Sequence, residues 1–107
     1  MAKPLKLVWS DAALEDIDEI AEYIHRDSPH YAQRVVEALI AATDLLPGQP
    51  HLGRVVPEMR QQNIRERFIY SYRLIYEIHS AELHILAVIH GKRLLESVEN
   101  RFPDDTS

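Results

Sequence analysis

The sequence contains no cysteine, which excludes disulfides and thiolate metal sites and fits a reducing, cytoplasmic setting. It has no long apolar run. The longest, Ile85 to Ile89, is far too short to span a bilayer. The start, Met-Ala-Lys-Pro-Leu-Lys-Leu-Val-Trp, lacks the apolar stretch of a signal peptide, so no membrane partner is expected. Internal repeats and low-complexity segments are missing. The 6 histidines form no HxxxH pair, so no metal and no other cofactor is assigned. There is no basic excess either: 12 Lys and Arg stand against 17 Asp and Glu, a net charge of −5. That balance argues against a general nucleic-acid binder.

What is present fits one domain over residues 1–107. A chain this short buries roughly two-thirds of its unfolded surface, enough for one modest core. The charge is unevenly spread. Residues 1–53 hold 4 basic and 9 acidic residues, and residues 54–107 hold 8 of each. Between Arg54 and Arg93 the count is 7 basic against 4 acidic. An anionic partner is therefore expected to meet the second half of the chain.

Leu5 to Trp9 reads as a short strand. Ser10 or Asp11 then offers a helix cap, because a short side-chain oxygen accepts an orphan backbone N–H. Ala13, Ile17, Ile20, Ala21 and Ile24 form one apolar stripe of a first helix. The acidic residues around it, Asp16 included, read as solvated surface. Ser28-Pro29 restarts a second helix, with a stripe through Ala32, Val35, Val36, Leu39, Thr43 and Leu46, and Pro47-Gly48 stops it. The short linker predicts an antiparallel helix hairpin over 11–46. Beyond Pro47 the period changes from 3.6 to 2, with strands expected at 54–57, 64–70, 72–78 and 83–90, the last of them central. A short helix over 94–102 is optional. The fold class is α+β: an N-terminal edge strand and a helix hairpin packed on a small antiparallel sheet, in the order β-α-α-β-β-β. Ile17, Ile20, Ile24, Val36, Leu39, Leu74, Ile85 and Ala87 are the expected core, with Trp9, Tyr23, Tyr72 and Tyr76 in the core or an interface. The second sheet face, with the chain's last turn, is expected to be partly open.

An acidic helix and a Ser-Pro helix are followed by Gly53-Arg54-Val55-Val56-Pro57-Glu58, Ile64-Arg65-Glu66, Tyr72-Arg73-Leu74-Ile75-Tyr76 and Ile85-Leu86-Ala87-Val88-Ile89-His90-Gly91-Lys92-Arg93. In this order the segments resemble the RelE/ParE toxins of bacterial type II toxin–antitoxin systems. The resemblance covers about residues 5–95. The Arg-Glu pair before the Tyr-Arg strand and the His-Gly-Lys-Arg end look more like the ParE branch. That branch implies a protein inhibitor of DNA gyrase, neutralised by a cognate antitoxin. The RelE branch implies a metal-independent endoribonuclease that cleaves mRNA on the ribosome. An inactive member that only binds its antitoxin is a third reading. The expected assembly is a homodimer or a toxin–antitoxin hetero-oligomer.

RNA cleavage without a metal needs a phosphate-binding cation and a proton-transfer group. Arg73, His90 and Arg93 could supply them, and the resemblance places Arg73 and Arg93 where the RelE branch has two phosphate-contacting arginines. Antiparallel pairing should bring Arg73 near His90. The expected functional surface is Arg65, Arg67, Arg73, His90, Lys92 and Arg93 at one end of the sheet, with neither Arg73 nor Arg93 in the core. Two departures weigh against the RelE branch. Leu94 to Glu99 contains no tyrosine, and Glu66 interrupts the basic pair Arg65 and Arg67. The opposing reading of Arg73 is an ion pair with Glu66 or Glu77.

Overall fold

The computed structural model describes residues 3–91 and 100–102. The elements are β1 (Lys6–Trp9), α1 (Asp11–His25), α2 (Pro29–Leu45), β2 (Arg54–Val55), β3 (Ile64–Ile69), β4 (Tyr72–Ile78) and β5 (Glu82–His90), with a 3-10 turn at Pro50–Leu52. Both helices begin as expected. Ala13 N–H donates to Ser10 Oγ at 3.0 Å, and Tyr31 N–H donates to Ser28 Oγ at 3.1 Å. Each cap satisfies a donor the helix cannot, a contribution of about 1 kcal/mol. Lys92, Arg93 and most of the expected helix over 94–102 lie outside the described residues. Asn100 and Arg101 form a 3-10 turn.

The five strands form one sheet in the order β1-β5-β4-β3-β2. The chain is α+β, with the helix hairpin between the edge strand and the later meander. Two details differ from the sequence reading. β1 is at the edge but pairs parallel to β5, with Lys6 opposite Glu82 and Trp9 opposite Ile85. The intervening hairpin acts as the crossover that a parallel pairing requires. β4 rather than β5 is therefore the middle strand. β5 is all apolar from Ile85 to Ile89 because both of its faces are covered by apolar clusters, and a register shift at Ile75/Tyr76 swaps which of its residues face which side.

Leu74, Tyr76, Leu83, Ile85 and Val88 face the hairpin and pack with Ala13, Ile24, Val35, Leu39 and Leu46. Ile64, Ile75, Leu86, Ala87 and Ile89 point the other way and form a second cluster with Val56 and Phe102. The core expectations hold for Ile24, Leu39, Leu74, Ile85 and Ala87. Ile17 and Ile20 are half-buried at the margin of this core, and Val36 is half-buried because α2 turns Ala32 and Val35 inward instead. Asp16, expected in solvent, is buried. Its carboxylate accepts from Val88 N–H at 2.9 Å and from Arg101 Nη1 at 2.6 Å. β1 covers β5 only as far as Ile85, so Asp16 satisfies an edge N–H that no strand reaches.

Candidate functional site: a buried ion-pair network and a basic strand

β3 and β4 pair in antiparallel register, with Arg67 opposite Leu74 and Phe68 opposite Arg73. Alternation then assigns the charged residues to faces. Arg65 and Arg67 lie on the hairpin side, opposite Tyr76 and Leu74. Glu66 and Arg73 lie on the other side, within the second apolar cluster.

On that side Glu66 is fully buried and Arg73 nearly so. Arg73 Nε donates to Glu66 Oε1 at 2.7 Å, and its two terminal nitrogens donate to the Glu58 carboxylate at 3.0 Å each. Arg54 Nε donates to the remaining Glu66 oxygen at 2.7 Å, and the Arg54 guanidinium carbon lies 5.3 Å from the Phe68 ring centroid. The four side chains form a net-neutral chain, Arg54–Glu66–Arg73–Glu58. The Arg73 guanidinium beside it holds the Glu58 carboxyl below its ordinary range, and Glu58, with Glu66, holds Arg73 above its own. Arg73, expected outside the core, is thus a buried and paired structural residue. The reason is the β3–β4 register: alternation puts Arg73 on the face of Ile75, and the pairing of Ile75 with Glu66 puts Glu66 on that same face. Glu66 does not neutralise Arg65 or Arg67, its sequence neighbours, but Arg54 and Arg73.

Arg65 is also engaged. It donates to Gly53 O at 3.0 Å and Gln62 O at 2.9 Å, bracing the approach to β2. Arg67 is half-buried and makes no ion pair among the described residues. Tyr76 lies beneath both arginines. Its hydroxyl accepts from Gly53 N–H at 2.9 Å and donates to Pro50 O at 2.6 Å. Burial pushes the Tyr76 phenol up, and the Gly53 hydrogen bond and the two arginines oppose this.

His90 stands opposite Tyr72, with ring centroids 5.7 Å apart and planes at 81°. Both line a cleft of about 660 Å³ whose other wall includes Asp16, Glu19, Tyr23 and Asp27. Asp16 is offset by Arg101, but the carboxylates of Glu19 and Asp27 make this cleft unfavourable for a phosphate. The structure therefore brings His90 close to Arg73 along the sheet but not on one face. Lys92 and Arg93 lie outside the described residues. The sequence reading missed Arg54 and Glu58 as partners of the network. The signal available was the short Arg54-to-Glu58 run before Glu66, which requires β2 to pair with β3 before it means anything.

A family model described as "ParE toxin of type II toxin-antitoxin system, parDE" matches residues 7–95. "Toxin RelE2" of Caulobacter vibrioides is 30% identical over 89 residues, covering 83% of this chain and 98% of that protein. "Putative toxin Y4kP" of Sinorhizobium fredii is 36% identical over 88 residues, covering 80% and 88%. The solved structure "Chromosomal ParDE TA system from P. aeruginosa" superposes with a TM-score of 0.67 at 19% identity, covering 80% of this chain and 95% of that one. The last of these is a likeness of fold.

Proposed function

The chain belongs to the RelE/ParE family of type II toxin–antitoxin toxins, and from that premise we propose that it acts in the ParE manner, as a non-nucleolytic inhibitor of DNA gyrase. One observation carries the choice of branch: the Arg73 guanidinium is committed to Glu66 and Glu58 inside the sheet's second face. A phosphate would have to displace two carboxylates to reach it, and breaking a buried pair costs about 3–5 kcal/mol. His90, the nearest proton-transfer candidate on β5, faces an acidic cleft on the opposite side. Binding without bond cleavage needs neither residue. Of the residues expected at the functional surface, Arg65, Arg67, Arg73, His90, Lys92 and Arg93, Arg73 is withdrawn into the buried network, and Arg67 takes the leading role among the described residues.

A cognate antitoxin neutralises the chain in this reading. The hairpin leaves Leu14, Tyr23, Tyr31, Ile40 and Leu45 exposed, apolar surface that suits an amphipathic or extended partner segment. The similarity to Toxin RelE2 favours a second reading, ribosome-dependent mRNA cleavage, in which Arg93 and a released Arg73 would bind phosphate. Induction of the chain in cells separates the two. Gyrase inhibition predicts DNA-damage signalling, filamentation and loss of supercoiling by purified gyrase. Prompt arrest of protein synthesis with cut mRNA and unaffected supercoiling would replace it with the second reading.

A further inference from the structure

The β4–β5 hairpin, at the end of the sheet away from Tyr72 and His90, gathers three metal-ligating side chains that no function above uses. The turn is tight: His79 N–H donates to Glu82 O at 2.8 Å, closing a loop whose tip is Ser80-Ala81. Across it Glu77 and His84 are direct cross-strand partners, so pleating puts both on the same face. His79, the first residue after β4, folds over them, with its ring centroid 4.3 Å from that of His84. One ligand-capable atom from each of Glu77, His79 and His84 lies within 4.8 Å of the others.

We propose that Glu77, His79 and His84 bind one divalent transition-metal ion of the Zn²⁺, Ni²⁺ or Cu²⁺ class. Two imidazoles and a carboxylate form a mixed nitrogen–oxygen donor set that suits these ions, whereas Mg²⁺ and Ca²⁺ require oxygen ligands. Metal–ligand bonds of about 2.0–2.2 Å place donor atoms roughly 3–3.5 Å apart. The cluster reaches that spacing by side-chain rotation, with the backbone fixed by the hairpin. Three protein ligands leave a fourth position for water or an external group. Glu82 completes the arrangement from outside. Its carboxylate lies 2.9 Å from His84 Nε2, the orienting contact that metal-binding histidines commonly make to a second carboxylate. The Glu77 carboxylate is 2.8 Å from His79 Nε2, a proton-mediated contact that a metal ion would replace. His79 and His84 are partly exposed while Glu77 is mostly covered, giving an ion a path in and a partly dehydrated anion to meet.

The site escapes a search of the sequence for HxxxH because its ligands lie across a turn rather than along a helix. The test uses the full chain without an affinity tag. Calorimetric titration with Zn²⁺ should show one ion per chain, with no response to Mg²⁺. Co²⁺ should give the visible absorption of a nitrogen-ligated, low-coordinate ion, a readout that needs no variant. His84→Ala and His79→Ala should each abolish saturable binding at unchanged far-UV circular dichroism, and Glu82→Gln should weaken it about tenfold. His30→Ala should leave it intact. The proposal is overturned if the wild-type chain shows no saturable Zn²⁺ binding, or if His84→Ala binds as the wild type does.

Discussion

Tyr72, not Arg73, stands across the sheet from His90. One residue of register decides the chemistry here. Arg73 is paired with Ile89 and turned to the face that holds Glu66, while His90 shares the hairpin side with Tyr72. Two residues adjacent in the ladder are therefore separated by the thickness of the sheet, and no substrate atom can touch both. A basic strand end in the sequence becomes an internal ion pair on one side and an acidic cleft on the other.

Replacing Arg73 with alanine should destabilise the protein by about 3 kcal/mol, because Glu66 stays buried with only Arg54 beside it. Pairing Arg73→Met with Glu66→Leu should recover most of the loss, since apolar side chains suit that cluster. Urea denaturation measures both. An unchanged midpoint for Arg73→Ala would show that the network contributes nothing.

Arg67→Glu should keep the fold and remove toxicity, because Arg67 forms no ion pair among the described residues and lies outside the buried network. Growth after induction, alongside thermal melting of the purified variant, reads the two effects separately. Full toxicity with an intact fold would take Arg67 out of the functional surface.

Gly53→Ala should cost about 1–3 kcal/mol. A Cβ there would lie 2.6 Å from the Glu66 carbonyl oxygen and 2.7 Å from the Tyr76 hydroxyl, one a strand backbone atom and the other held by hydrogen bonds. Neither yields cheaply, so a melting temperature equal to wild type would mean that β2 moves freely against β3.

Stability should fall as pH rises above about 10. Burial raises the Tyr76 phenol above its ordinary value of 10.0, and Tyr72 shifts the same way. Above 10.0 the unfolded chain has lost those protons while the folded one retains them, so folding is penalised. Tyr76→Phe should flatten the alkaline limb, at a cost of about 1–3 kcal/mol at neutral pH for the unpaired Gly53 N–H. At the acid end the sign reverses. Glu58, held below 4.5 by Arg73, contributes stability above 4.5 that is lost as pH falls through its lowered value. Denaturant midpoints across the pH range test both limbs.

Leu39→Ala should lose about 2–5 kcal/mol, since Leu39 is fully buried beneath the hairpin. A loss under about 0.5 kcal/mol would place α2 wrongly on the sheet.

The elements were readable because their signals are local. Ser10 and Ser28-Pro29 start the helices, Pro47-Gly48 ends the second, and the alternation of Tyr72 to Ile78 marks a strand whose bounds match the structure. The faces were harder. An added residue near Leu86 changes the parity of β5, and nothing in an all-apolar run marks where. The parallel pairing of β1 depends on a crossover, which composition does not encode. The charged residues were hardest. Whether Arg73 meets solvent or Glu66 depends on the β3–β4 register and on β2 delivering Arg54 beside it, which are long-range facts. The Glu77, His79 and His84 cluster was hidden for the same reason.

Asp16 sets a clock on the protein's birth. It sits on the first helix, yet the groups that neutralise it, Val88 N–H and Arg101, lie 72 and 85 residues downstream. At a synthesis rate of ~5–20 residues per second, a nascent chain waits roughly 4 to 17 s with that carboxylate unmatched on the face meant for the sheet. The early helices cannot close over their core before the last strand emerges. A prematurely terminated chain therefore keeps a charge where burial is required, and only one that reaches Arg101 can fold with that charge matched.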